Sequence, residues 1–490
     1  MQFYRTSKRL INVGLVARVI SRNLFIIAIG LMSCLVVGIL YQEDILPFVY
    51  TILIVLAVGT GFHLLQRNQP DNQRVEVHDA YFTVTFSWFV ICFLGALPYL
   101  LSGSISHFAN AMFESVSGFT TTGSSILSDI EILPKSILFW RSLTHWIGGI
   151  GIIVLVIIIM PSLHIGGYHL FVRESSLHEK IKPRIKAVAS RLLLIYVMLT
   201  IIEIVLLTIG GMDLFDSICH AFGTVATGGF GTKNDSLISY SPYIQYVVMV
   251  FMILAGTNFT IHYYMLKREF VKVRQNNELK FYIKTLAVIG FIVSIGLYSS
   301  TSKGLEESFR AGYFQVISII TCTGFATDDY LQWPLYTWFI LFFSMFIGGS
   351  TGSTAGGIKA ARHLVLFKNL KRIFQQLTSQ NAILTIRINN KHLNEDENSG
   401  ILTFILVYFY VFVAGSLILT ILGVDLQTAT SSVATCMAGI GPGMGTVGPV
   451  NNFGHLSDAV KLTLTMLMII GRLEIFTVIL LFTRRFWQHR

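Results

Sequence analysis

Four short segments carry the residue types that can hold a bare cation with neutral oxygens. They read Thr120-Thr121-Thr122-Gly123, Ala226-Thr227-Gly228-Gly229, Thr321-Cys322-Thr323-Gly324 and Ala438-Gly439-Ile440-Gly441. Each follows a short helical stretch between two long apolar segments, and their last glycines are about 95 to 117 residues apart. A unit recurring at such a period is one supersecondary element used four times. Non-helical backbone at membrane depth is tolerated only where protein buries it or where it lines a wet cavity. Four such bends around one axis would present a ring of carbonyl oxygens, which can replace a cation's hydration shell. Glycine suits the bend because a side chain resists the backbone angles it needs. Aligning Ser318–Thr327 with Gly223–Thr232 matches Gly324 to Gly229, Phe325 to Phe230 and Thr327 to Thr232. In the fourth segment either Gly439 or Gly441 could take the glycine position, and Gly441, followed by Pro442, fits better. For any single turn, close helix packing by small residues is the better explanation. Recurrence at one period favours the pore.

The elements that must position these turns are membrane helices. The chain has 490 residues, 53% hydrophobic and only 13% charged, with mean hydropathy +0.65. Soluble domains carry roughly 25% charge. Apolar windows near the roughly 20 residues a span needs are Leu24–Tyr41, Ile45–Leu65, Ala80–Leu101, Leu138–Leu163, Leu192–Met212, Tyr243–Leu266, Phe281–Tyr298, Leu335–Gly349 with a continuation to Phe367, Ile401–Leu422 and Ala459–Thr483. Ten crossings place both termini on one side. No cleavage site follows the first run. Between alternate pairs lie Ile105–Phe119, Asp213–Val225, Leu305–Ile320 and Asp425–Met437, each too short to span. Acids open three of them, which suits a helix N-terminus, and their carbonyl ends would point inward and favour a cation. The predicted fold class is an all-α integral membrane protein. It has four pseudo-symmetric helix–pore-helix–filter–helix repeats around a central pore, preceded by a two-helix hairpin. The expected boundaries are 1–66 for the hairpin, then repeats at 67–190, 191–276, 277–395 and 396–490.

A second constellation is Gly348-Gly349-Ser-Thr-Gly352-Ser-Thr-Ala-Gly356-Gly357-Ile-Lys359. It superficially suggests a phosphate loop, but Ile358 stands where the lysine is required. Inside an apolar span, these residues unravel a helix and leave a segment that must line the pore. A helix kink with tight packing is the bland alternative. Third is Arg472, in an apolar span; an arginine at mid-bilayer costs roughly 2.5–3.5 kcal/mol even on the generous scale, so it should face the cavity. There it raises the barrier to cations, and its donors could hold the loop's carbonyls. A structural ion pair is the alternative. Glu474, two residues on, points elsewhere, and Glu203 is read as structural.

With these motifs on the page, the chain resembles the TrkH/KtrB/HKT superfamily of potassium transporters, and most closely its TrkH branch. The resemblance covers essentially the whole chain and is most specific at Ser117–Ser124, Thr321–Thr327 and Gly348–Lys359. It implies one principal filter glycine per repeat, potassium as the bound ion, an intramembrane gating loop at 348–359, and an arginine, Arg472, narrowing the pore below the filter. It further implies a homodimer and a cytosolic TrkA-like ring of nucleotide-binding subunits that works the gate. The fourth turn departs: Ala438-Gly439 stand where larger polar residues are expected.

Net charge is +10, but nucleic acid is excluded as a partner by the distribution. Of the 36 Lys/Arg, 29 fall in the N-terminus, in 67–78, 164–191, 267–284 and 359–391, and at the C-terminus. That is the positive-inside asymmetry, and it puts both termini in the cytoplasm of a bacterial cell with lipid around the spans. The basic loops at 173–191, 267–284 and 359–391 would be docking surface, or topology signals alone. The expected function is potassium uptake across the inner membrane through a gated, channel-like pore, with a proton- or sodium-coupled symporter as the alternative. An enzyme is not expected: His145, His164, His169, His178 and Glu174 show no metal-ligand spacing. The five cysteines read as buried small hydrophobes.

Overall fold

The structure is a computed structural model that describes residues 11–67, 77–158, 181–379, 384–389 and 391–488. His164, His169, Glu174 and His178 lie outside the described residues. Two long helices open the chain, α1 (Val13–Leu40) and α2 (Leu46–Arg67), packed as a hairpin. Asn12 starts α1 by accepting the Leu15 N–H at 3.0 Å. The next elements are α3 (Val77–Gly95), α4 (Leu97–Leu101), the short α5 (Phe108–Phe119) and α6 (Lys135–Ile158). The same order recurs as α7 (Ile181–Ile209), short α8 (Leu214–Val225), α9 (Pro242–Ala255) and α10 (Phe259–Leu266). After α11 (Phe270–Gln275) come α12 (Asn277–Ser300), short α13 (Leu305–Ile320), α14 (Leu335–Ser344) and α15 (Ala360–Thr378). The last set is α16 (Glu395–Ile421), short α17 (Leu426–Ala438), α18 (Asp458–Arg472) and α19 (Phe476–Ile479). Arg387–Ile388 and Lys391–His392 pair as a small antiparallel hairpin.

Six helices are long and apolar enough to cross a membrane, or up to eight if each bent pair counts once, among the described residues. The four short helices have 12, 12, 16 and 13 residues. At about 1.5 Å per residue none spans a hydrocarbon core of about 30 Å. Asp213 caps α8 by accepting from Phe215 N at 3.0 Å, and Asp425 caps α17 through Thr428 N at 2.9 Å. Glu306 and Glu307 sit in the first turn of α13.

Three second helices are broken: two read as continuous apolar spans, and the third carries the Gly/Ser segment expected to unravel it. The α9–α10 pair bends by 100° at Gly256–Asn258, where Asn258 caps the new helix by accepting Thr260 N at 2.8 Å. The α18–α19 pair bends by 110° just after Arg472, with Glu474 at φ +60°. Between α14 and α15 the chain leaves the helix altogether over the Gly/Ser segment. Hydropathy reports how apolar a stretch is, not whether its helix is continuous. The breaks sit at glycines and at a polar cap, where helix propensity is low.

Candidate ion pathway

The four short helices end alike, and their ends build the pathway. Each terminates in a residue with positive φ: Thr121 (+51°), Thr227 (+55°), Cys322 (+57°) and Gly439 (+72°). The following N–H reaches back five residues: Thr122 to the Ser117 carbonyl at 2.8 Å, Gly228 to Gly223 at 2.8 Å, Thr323 to Ser318 at 2.9 Å and Ile440 to Thr435 at 3.0 Å. A left-handed residue followed by such a bond is the Schellman helix ending, which satisfies a terminal carbonyl and turns the chain sharply. Only the fourth repeat uses the glycine that this position favours.

The next residue is the shared glycine, again at positive φ: Gly123 (+82°), Gly229 (+79°), Gly324 (+87°) and Gly441 (+108°). All four line one cavity. A β-carbon on Gly123 would lie 2.0 Å from the Gly228 carbonyl oxygen, one on Gly229 2.0 Å from that of Thr323, and one on Gly324 1.8 Å from that of Ile440. On Gly441 it would lie 3.1 Å from the Thr122 carbonyl oxygen, which closes the circle. Each repeat's glycine therefore packs on the preceding residue's carbonyl in the next repeat. Gly441 holds this ring position and Gly439 the left-handed one, so both fourth-repeat glycines are used, in different roles.

The turns are not identical. In repeats one and three the Thr120 and Thr321 hydroxyls donate to the Val116 and Ile317 carbonyls at 2.6 and 2.7 Å. Each also lies 2.8 Å from a second hydroxyl, Thr122 or Thr323. With the first proton already used, the second hydroxyl donates, and both its lone pairs remain available. Ala226 and Ala438 stand at the first position in repeats two and four, so the departure expected only of the fourth turn is shared by the second.

Directly against the helix ends lies the 348–358 loop. Its stem is closed by a bridge between Ile347 and Ile358, with Gly348 N donating to Ile358 O at 2.9 Å and Ala360 N to Gly349 O at 3.0 Å. Gly352 and Gly357 have φ of +79° and +66°. The Thr354 hydroxyl is shared between the carbonyls of Val225, the last residue of α8, at 3.0 Å, and Ala255 at 3.3 Å. A β-carbon on Gly356 would strike the Ala438 carbonyl oxygen at 2.0 Å. Lys359 folds its ammonium onto the Ala355 carbonyl. Arg472, at the break after α18, donates to the Thr354 carbonyl at 2.8 Å and to Gly148 O at 3.4 Å. Two residues on, Glu474 pairs with Arg362 at 2.7 Å, whose guanidinium lies 3.7 Å over the Phe404 ring. The loop thus packs on repeats two and four, and Thr354 bonds to both, its hydroxyl to repeat two and its carbonyl to Arg472 of repeat four.

Sequence reasoning missed four residues. Thr354 sat unremarked among glycines. Glu278, at the start of α12, accepts from Thr351 N at 2.6 Å, inside the loop, and from Ala361 N at 3.2 Å, just past its exit. Glu114 is buried inside α5, and Arg141, which reads as an outer-face charge, is buried beside it at 2.9 Å. A carboxylate inside an apolar half-helix was the available signal for Glu114.

Fold and site together define a membrane protein of four pore-like units in one chain. The family model described as "TrkH: Cation transport protein" matches residues 45–489. The chain is 37% identical to the Trk system potassium uptake protein TrkH of Escherichia coli K12, over 90% of this chain and 92% of that one. It is 34% identical to TrkI of Halomonas elongata over 91% of each. The crystal structure of the potassium transporter TrkH from Vibrio parahaemolyticus superposes with a TM-score of 0.89 at 33% identity, over 97% of this chain and 99% of the other. The chain belongs to the TrkH family.

Proposed function

We propose that this chain takes up potassium across a bacterial inner membrane through a gated, channel-like pore, with both termini cytoplasmic. The carbonyls of Thr122, Gly228, Thr323 and Ile440 replace water around the ion, helped by the Thr122 and Thr323 hydroxyls. The remaining turn residues (Thr120, Thr121, Gly123, Ala226, Thr227, Gly229, Thr321, Cys322, Gly324, Ala438, Gly439, Gly441) set that backbone. The partial negative charge of four helix ends favours a cation beneath the ring. Gly348, Gly349, Gly352, Gly356, Gly357 and Lys359 form a gate that Arg472 holds shut. The domains are the hairpin and four repeats drawn from the sequence. The working assembly is a homodimer carrying a cytosolic nucleotide-binding ring.

The observation that carries this reading is the closed circle of glycine-to-carbonyl approaches. Its test is Gly324→Ser in reconstituted vesicles. Potassium preference over sodium should fall by roughly tenfold or more, about 1.4 kcal/mol of discrimination. An unaltered preference sinks the assignment. A coupled symporter is the competing mechanism, supported by Glu203, buried with neither carboxyl oxygen hydrogen-bonded among the described residues. A potassium reversal potential that moves with the proton or sodium gradient would establish it.

A further inference from the structure

His145, Arg141 and Glu114 lie together against the first two turns, and Arg141 lines the same cavity as the four ring glycines. Arg141 and His145 are four residues apart on α6, so they share one face. Both are buried, as is Glu114 on α5. Among the described residues, Arg141–Glu114 is the most buried ion pair, with side chains 1% and 0% exposed. Such a pair is tolerated only when its remaining hydrogen-bonding groups are satisfied. Here the Glu114 carboxylate accepts Arg141 Nε at 2.9 Å, the Ser125 hydroxyl at 3.0 Å and Ile126 N at 3.1 Å. Arg141 also donates to the Gly231 carbonyl at 3.2 Å. The pair therefore ties the outer strand of the first turn to that of the second.

The second half of the grip is aromatic. Phe230 follows the ring glycine Gly229, and His145 stacks on it with ring centroids 4.1 Å apart and planes 15° apart. The Arg141 guanidinium lies 4.2 Å over the same ring. His145 Nδ1 occupies the space a side chain at Gly228 would need, 2.0 Å from the β-carbon position. Neither ring nitrogen has a hydrogen-bond partner among the described residues, so the imidazole serves here as a packed plate. It braces, from behind, the residue whose carbonyl enters the ring.

We propose that Glu114, Arg141 and His145 are specificity-determining positioning residues, a buttress that fixes how far the Gly228 carbonyl stands from the pore axis. This rests on the filter reading given above. A carbonyl ring discriminates between potassium and the smaller sodium ion through the number and spacing of its oxygens. Releasing one carbonyl lets the ring adapt to sodium.

The test compares His145→Ala, His145→Phe, the double variant E114Q/R141M and Gly324→Ser. The double variant removes both buried charges together, so no lone ion is stranded if the single changes fail to fold. Each protein is checked for monodispersity and reconstituted, and the potassium-to-sodium permeability ratio is read from reversal potentials. His145→Ala and the double variant should lower the ratio by roughly tenfold while conducting, and His145→Phe, which keeps the stacked plate, should restore it. Lower total flux at an unchanged ratio makes the three residues merely structural and overturns the buttress. An unchanged ratio in both buttress variants, with the ratio lost in Gly324→Ser, also overturns the buttress alone. If Gly324→Ser keeps its ratio too, the filter assignment falls and the buttress with it.

Discussion

At the scale of single residues, Thr354 and Arg472 make the contacts on which the proposed gate depends. Arg472 is buried at the break after α18 and spends its donors on two carbonyls, Thr354 and Gly148. In the proposed gate, a guanidinium there would repel a passing cation and fasten the loop at once. Arg472→Ala, or a deletion within Gly348–Gly357, is expected to raise resting potassium flux; unchanged or lower conductance in both counts against a gate. Thr354→Val keeps the shape and deletes the hydroxyl shared between Val225 and Ala255. One such bond contributes about 1 kcal/mol, so single-molecule recordings should show an open fraction raised by roughly fivefold. The turns themselves were legible because Gly and Thr at a fixed offset from an apolar run are local signals. Thr354 was not legible, because its partners Val225 and Arg472 lie more than a hundred residues away. The Glu114–Arg141 pair was hidden for a related reason: an arginine near the end of a span looks like an interfacial anchor until its carboxylate is seen across the fold.

At the scale of elements, the loop is held at its stem as well as its tip. Glu278 Oε1 accepts one N–H from inside the loop and one from just past its exit, so a single carboxylate joins α12 to both. The basic segment 267–284 runs into that helix, and in the proposed gate a partner docked there would reach the loop through one carboxylate. Glu278→Ala leaves two buried N–H groups unpaired, each costing about 1–3 kcal/mol, and should raise resting flux. Glu278→Gln retains an acceptor oxygen and should behave close to the parent protein. Equal flux from both variants would show that the stem is held some other way. The breaks in α9–α10 and α18–α19 escaped the hydropathy reading but follow from residue chemistry: an asparagine cap in one, a left-handed glutamate in the other.

At the scale of the molecule, four unequal repeats close one circle. A tetramer of identical chains must place the same residue at every corner; a single chain need not. Here Thr120 and Thr321 stand in repeats one and three where Ala226 and Ala438 stand in repeats two and four. The glycine contacts are unequal as well, with room of 3.1 Å at Gly441 against 1.8 Å at Gly324. Gly441→Ala is therefore expected to keep more of its potassium preference than Gly324→Ala, and the reverse order in reconstituted flux would contradict the packing. The fourfold plan was legible from spacing alone. The order in which the corners touch was not, because nothing local to one turn says which neighbour it meets.

That order gives the circle a handedness. Gly123 leans on repeat two, Gly229 on repeat three, Gly324 on repeat four and Gly441 on repeat one. A side chain grown at one corner points first at the carbonyl of its successor. A lesion at Gly123 is therefore expected to register most strongly in a carbonyl reporter at Gly228, the oxygen its side chain would strike.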